Sequence, residues 1–477
     1  MGKDMIRTAS AALLTAAALG LPNASAAEPP DLAAGVAVVD ITPPVGYRMA
    51  GYFNERLSTG TANPLHAKAM ALRQGGERAA VVLCDLIGVP VEVTWRARRQ
   101  AAEKTGIPVS NIVIAATHSH TGPLYFDALR KHFHDLALAR HGGDPQEKVD
   151  YAAELTAGIV RAIAAADAAA RPVRLEAGTA EQTGLSFNRR FHMKDGSVRF
   201  NPGPLNPDIV RAAGPIDPQV GIILVRDAAD GGAARAAVVN FALHLDTTGG
   251  TLYAADYPFY IEQALRADFG QEFVLLFGTG TCGDINHIDV TKKERPASET
   301  IGKTLADCVR AKLPTLKAIA RPALAVRSET VQVPLQRPAP DAVAKAHLDI
   351  AKVGTSDMEF LKQVEAYKIL SLELRGGTTI PLEVQVLRLD GDTAAVFLPG
   401  EVFAELGLAI KRASPFATTL VVELAQDSPE YVPTRTAFAE GSYETVNSRV
   451  APGGGEMLVE AAARLLKSLS NRPEERP

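Results

Sequence analysis

The chain has 477 residues, of which 47% are hydrophobic and 22% charged, and a formal net charge of −4. That length suits two subdomains or one large α/β domain, and the mildly acidic balance with only short cationic clusters argues against a nucleic-acid partner. Aromatic residues are 6%, with Trp95 the single tryptophan, so no stacking platform for bases or sugars is expected.

Lys3 and Arg7 precede a short apolar run, 11–21, and Ala24-Ser25-Ala26 reads as a cleavage site, so residues 1–26 are expected to be an export signal. The run is shorter than the roughly 20 residues a membrane helix needs. No later segment reads as transmembrane, so 27–477 is expected to be a periplasmic or secreted domain. Strands are expected at 36–40, 67–72 and 79–84, a helix at 91–104, and an apolar β-branched strand at 111–116. An alanine-rich helix follows at 151–169, then a strand at 236–243, a helix at 259–268, a strand at 273–277 and a helix at 304–313. Residues 339–374 are largely helical between strands, which is either an inserted subdomain or lid, or two ordinary connecting helices. Strands at 382–389 and 394–398 and helices at 402–411 and 456–469 complete the chain before a polar tail, 471–477. The expected class is α/β, a mixed sheet with helices packed around it and a helical insertion near 339–374. No internal repeat stands out. Cys84, Cys282 and Cys308 allow at most one disulfide and include no CxxC pair, so a bound metal would rest mainly on His, Glu, Asp or Tyr.

The strand at 111–116 runs straight into His118-Ser119-His120. Strand ends are where α/β sheets place ligand-binding groups, and an extended backbone would point residues i and i+2 to the same face. A metal-binding pair and a hydrogen-bonded loop pair both fit. His244 repeats the situation after the next long strand, and Glu401 follows the Pro399-Gly400 turn, where a helix start would favour its ionised form. Glu401 could equally be a plain helix-start glutamate. Residues 278–283 match G-x-G-x-x-G after a strand, but 284–289 do not open an apolar-periodic helix, so the nucleotide-binding reading is rejected.

These segments, in this order, resemble the neutral, non-lysosomal ceramidases and their bacterial relatives. The opening run ending Asp40-Ile41-Thr42-Pro43-Pro44 resembles the family's G-x-A-D-I-T-x-P, and Val82-Leu83-Cys84-Asp85 continues the likeness. Thr117-His118-Ser119-His120-Thr121-Gly122-Pro123 is similar to T-H-T-H-S-G-P, Asn188-Arg189 to N-R-S, and Phe241-Ala242-Leu243-His244 to F-A-V-H-P. Gly283-Asp284 is similar to the start of G-D-V-S-P-N, Leu398-Pro399-Gly400-Glu401 to L-P-G-E, the stretch through Tyr431 to Y-x-T-T, and Ser442-Tyr443-Glu444 to Q-x-Y-E.

The resemblance implies zinc held by His118, His244, Glu401 and Tyr431, with Tyr443 the competing tyrosine, three strong ligands and an open position being the pattern of catalytic zinc. It implies His120 handling protons, Arg189 steadying developing negative charge, and Asp284 or Asp256 orienting imidazoles, unless these two are turn and cap residues. The implied reaction is metal-assisted hydrolysis of an N-acyl linkage in a small molecule or lipid, ceramide among them. The same site acting on an ester, glycosidic or phosphoester bond, or an inactive metal-binding relative, are the alternatives. Asn286 occupies the family's active-site serine position, where it can hydrogen-bond substrate but not attack it. Leu124 and Tyr125 replace small residues at the expected pocket mouth, and the family's C-terminal immunoglobulin-like domain is expected to be missing.

Overall fold

The structure, a computed structural model, describes residues 32–229, 232–353 and 358–470, together with Met1. The expected export signal and the polar tail lie outside the described residues. The chain is built from three copies of one unit. Each unit has three antiparallel strands, a crossover helix, a fourth strand parallel to the third, and a closing helix. In the first, β1 (Ala33–Asp40), β2 (His66–Gln74) and β3 (Glu77–Cys84) are antiparallel neighbours, and α1 (Val91–Thr105) crosses over to β4 (Ile112–Ala116). Two helices, α2 (Asp127–His141) and α3 (Tyr151–Ala168), follow. The second unit runs β5 (Arg171–Glu181), β6 (Gln219–Asp227), β7 (Ala234–Phe241), α4 (Tyr257–Phe269), β8 (Val274–Thr279) and α5 (Ser298–Lys312).

The third unit begins with β9 (Ala325–Pro334) and inserts α6 (Pro340–Asp349) and α7 (Phe360–Arg375) before β10 (Thr379–Arg388). It continues with β11 (Thr393–Phe397), α8 (Ala404–Ala413) and β12 (Thr418–Val422). Short helices α9 (Arg435–Glu440) and α10 (Tyr443–Val446) precede α11 (Gly454–Leu469). The insertion leaves and re-enters one β-hairpin, and α7 packs on α2 and α10. Sheets one and two join where β1 meets β5, and sheet three stands apart.

Side-chain alternation explains how three sheets share one core. On β3, Ala79, Val81 and Leu83 face the centre while Ala80, Val82 and Cys84 face the helices. On β7, Ala236 and Val238 face the centre and Ala237, Val239 and Phe241 the helices. On β11, Ala395 and Phe397 face the centre and Ala394 and Val396 the helices. The central core therefore draws on all three sheets, and each sheet carries its own helix pair outside: α1 and α3, α4 and α5, α8 and α11. Helix α11 shows what such a face is worth. Leu458, Leu465, Leu466 and Leu469 are buried on one side, each stabilising by on the order of 2 kcal/mol.

Strands buried on both faces are apolar at nearly every position, which is why β4, β8 and β11 read as apolar runs. The three parallel pairs end in register: Cys84 opposite Ala116, Phe241 opposite Thr279, Phe397 opposite Val422. Their carboxyl ends meet at one place, sealed by bonds between units: Thr279 Oγ1 donates to Thr117 O (2.6 Å), Glu423 N to Thr279 O (2.9 Å) and Gly283 N to Val402 O (2.9 Å). The three cysteines are free, and no helix among the described residues is long and apolar enough to cross a membrane.

Candidate metal centre

His118 follows β4 by two residues, His244 follows β7 by three, and Glu401 follows β11 by four, so each unit contributes one group to the same point. His118 Nε2 lies 2.9 Å from His244 Nε2, and Glu401 Oε2 lies 3.3 Å from the first and 3.6 Å from the second. His120 Nε2 stands 3.3 Å from His118 Nε2. The strand does not stay extended through the pair, as the spacing predicts. His118 takes a left-handed φ of 79°, a costly conformation for a residue with a side chain. Its N–H and that of Ser119 both donate to Leu86 O, which turns the chain and still lets both imidazoles reach the centre.

The outer nitrogens decide how the rings present themselves. His118 Nδ1 is 2.8 Å from Ile87 O and His244 Nδ1 is 3.2 Å from Cys282 O. Donating to carbonyls there leaves a lone pair on each inner nitrogen. The buried Glu401 Oε2 has no well-formed hydrogen bond. Three electron-rich atoms thus converge with no donor of their own, a donor set that fits a divalent cation held by two histidines and a carboxylate. His120 is held differently. Its Nδ1 has no hydrogen-bond partner, and the nearest carboxylate, Asp246, is 3.7 Å away. The Tyr52 hydroxyl donates to that carboxylate (2.6 Å).

Burial pushes His120 down to about 4 and His244 well below the ordinary histidine value. Burial would lower His118 too, but Glu401 beside it overrides this and holds it above that value. Burial would raise Glu401, and His118 instead brings it below the usual carboxylate range.

Glu401 is not in a helix. It forms a two-residue strand with Val402, parallel to Tyr431 and Val432, and α8 begins only at Ala404. That pairing sets Tyr431 directly beside Glu401. Tyr443 is one ring further out, 5.4 Å between centroids. Arg189 Nε donates to Glu444 Oε1 (2.8 Å) and Nη2 to Gly283 O (2.8 Å), with its guanidinium 5.3 Å from the Tyr431 ring centre. Asn286 is held by its own bonds: Nδ2 donates to Asn201 (2.7 Å) and Oδ1 accepts from Ile288 N (3.0 Å). Asp284 and Asp256 cap and tie turns rather than orient imidazoles. Asp284 accepts from Ala404 N and Asn188, and Asp256 from Tyr257 N, Thr247 N and Thr248 N.

Residues 278–283 bring backbones together. A Cβ on Gly280 would meet Ala242 N at 2.9 Å, and one on Gly283 would meet Glu401 O at 2.4 Å. Glu423, directly after β12, was not foreseen. It is fully buried and accepts from Val402 N (2.7 Å), Cys282 N (3.2 Å) and Cys282 Sγ (3.0 Å), so it steadies the segments carrying Glu401 and the carbonyl that orients His244. Only its position at a strand end could have drawn attention to it.

The centre opens into a pocket of about 640 Å³, a figure that takes in open space at its mouth. Phe53, Ile87, Leu124, Phe126 and Leu129 form an apolar side, and Tyr431, Tyr443, Glu430 and Asp127 a polar one. Leu124 shapes the pocket, whereas Tyr125 turns away and donates to Gly88 O (2.8 Å). A second cluster, His134, Asp144 and Glu147, has metal-like spacing. Its carboxylates already pair with Arg48, 2.7 and 3.5 Å away, and with Arg130, so it is an ion-pair network.

The neutral ceramidase of Pseudomonas aeruginosa is 29% identical to the chain over 289 residues, which span 58% of this chain and 40% of that protein. The match covers less than half of the relative's length. Two solved structures share the fold, each with a TM-score of 0.67 and 20% identity. One is neutral ceramidase from Pseudomonas aeruginosa, matched over 94% of this chain and 76% of that one. The other is a ceramidase complexed with C2, matched over 94% and 77%. No family model matches the chain.

Proposed function

From the premise that this chain is a relative of the neutral ceramidases, we propose that it is an exported, zinc-dependent hydrolase that cleaves an N-acyl linkage in ceramide or a related lipid amide. The observation that carries the reading is the convergence of His118 Nε2, His244 Nε2 and Glu401 Oε2, one from each unit, with both imidazoles oriented by backbone carbonyls. His118, His244 and Glu401 would hold the ion, with Tyr431 as fourth ligand because it pairs with Glu401 across the short strand. Zinc, when bound, supplies a Lewis acid that polarises the amide carbonyl and acidifies the attacking water.

The chain's own residues do the rest. His120 borders the centre with no carbonyl fixing its outer nitrogen, which suits a ring that takes up a proton and hands it to the leaving amine. Arg189, pinned by Glu444 and Gly283 O, faces the Tyr431 ring with a fixed positive charge that favours negative charge at the phenol and at the developing oxyanion. Asn286 supplies no nucleophile, so attack falls to water. That same residue favours a second reading, a metal-binding relative without turnover.

The test is the purified full chain, assayed for metal content and for release of amine from ceramide and simple N-acyl amines. One zinc per chain with amide cleavage is expected, and His118→Ala should lose both. Unchanged metal in that variant contradicts the ligand assignment. Full zinc without amide cleavage moves the reading to another bond or to the inactive relative.

A further inference from the structure

The polar side of the pocket contains one carboxyl group, that of Glu430, that the fold engages only by a long ion pair. Asp127 is saturated: it accepts from the Tyr367 hydroxyl (2.7 Å), the Ser371 hydroxyl (2.7 Å), Arg449 Nη2 (3.2 Å) and Ala128 N (2.7 Å). Arg449 is likewise committed, donating to Asn447 O (2.6 Å), Asn447 Oδ1 (2.8 Å), Ser371 (3.2 Å) and Asp127. Glu430 meets this network only through a long ion pair with Arg449. Its carboxylate is 3.9 Å from Arg449 Nη2, beyond hydrogen-bond reach, and accepts no hydrogen bond among the described residues. The side chain is 20% exposed and lines the same pocket as His118 and Glu401.

The backbone holds it there at a cost. Glu430 sits at φ 63°, a left-handed conformation that a glutamate adopts only when its surroundings impose it. Its carbonyl accepts from Glu401 N (2.9 Å), so the strained residue is tied directly to the proposed metal ligand. A half-sheltered acceptor with no donor at hydrogen-bond distance is free to take one from a ligand. A ligand group reaching it would lie close to the centre.

We propose that Glu430 is a specificity-determining residue, whose carboxylate receives a hydrogen-bond donor, hydroxyl or ammonium, carried by the substrate near the scissile N-acyl linkage. This rests on the hydrolase reading and narrows it. Amides bearing a donor on the amine side are selected, and amides with an alkyl group there are neglected.

Calorimetric binding to the zinc-loaded full chain tests this with three dodecanoyl amides of near-equal size, those of ethanolamine, ethylenediamine and propylamine. The two donor amides should bind the wild type on the order of tenfold to a hundredfold more tightly than the propylamide, the range set by a hydrogen bond to a charged group. Glu430→Gln should cut the ethylenediamine preference at least tenfold. Glu430→Gly, which suits the positive φ, should abolish the preference altogether and guards against a folding defect in the first variant. An unchanged order of ligands in both variants, a wild type that binds the propylamide best, or no amide binding at all overturns the proposal. Donor-selective binding without cleavage would leave Glu430's role intact and remove the hydrolase reading.

Discussion

Gly283→Ala adds one methyl group at a position with no side chain in the pocket, and it should still weaken metal binding. A Cβ there would lie 2.4 Å from Glu401 O, 2.9 Å from Glu401 C and 3.2 Å from Val402 C. Carbon–oxygen contacts in proteins sit at about 3.3–3.6 Å, so the two backbones must part by roughly 0.9 Å. The obstacle is backbone on both sides, and no rotamer change relieves it. Overpacking of this kind costs about 1–3 kcal/mol. The displaced segment carries Glu401, and metal–ligand distances tolerate only about 0.2 Å. Zinc affinity, measured by competition with a chromophoric chelator, should fall on the order of tenfold to a hundredfold, the usual loss when support around a ligand is disturbed. Urea unfolding of the metal-free protein gives the stability change separately. Gly391→Ala, where an added methyl meets nothing within 4 Å, is the control and should change neither quantity. A stability loss with zinc affinity intact would refute the claim that this backbone contact fixes the position of Glu401.

Tyr431→Phe should weaken zinc retention while Tyr443→Phe should not, because Tyr431 pairs with Glu401 and Tyr443 stands one ring away; the reverse pattern in dialysed protein would exchange their roles. Asp284 gives a pH signature. Burial raises it to about 6 in the folded chain, from 3.8 when exposed. Between these values the folded state holds a proton that the unfolded state has lost, so its contribution to stability is full below about pH 4 and gone above about pH 6. That contribution is roughly 3 kcal/mol, of which roughly 2 falls between pH 4.5 and 7.5. Asp284→Asn cannot ionise, so its stability relative to wild type should improve by that amount over this interval in denaturant unfolding. Parallel curves would show that Asp284 stays solvated.

Strand ends were the readable part of the site. A strand buried on both faces is apolar at every position, so the first polar residues beyond it mark the sheet edge where a group can face a ligand. His118, His244 and Glu401 each stand just past such a run. Glu423 stood in the same relation to β12 but looks like an ordinary polar residue after a strand. Helix α2, which forms the pocket's apolar side through Leu129, was missed because its polar residues blur the helical period. The threefold repetition leaves no mark in residue identity, since pairing direction and connection order define it.

The sequence alone determined much of the alternation of strands and helices, though not the strands at 171–181, 219–227, 325–334 and 418–422, and it determined the kinds of ligand atom on offer, because periodicity and side-chain chemistry are local properties. Only the tertiary structure decided which distant groups meet. The in-register ends of three parallel pairs bring residues 118, 244 and 401 to one point, seat Tyr431 beside Glu401, and leave Glu430 with only a long ion pair to Arg449 while Asp127 is saturated. Those outcomes depend on how three sheets close on a shared core, a geometry fixed by contacts between residues far apart in the chain.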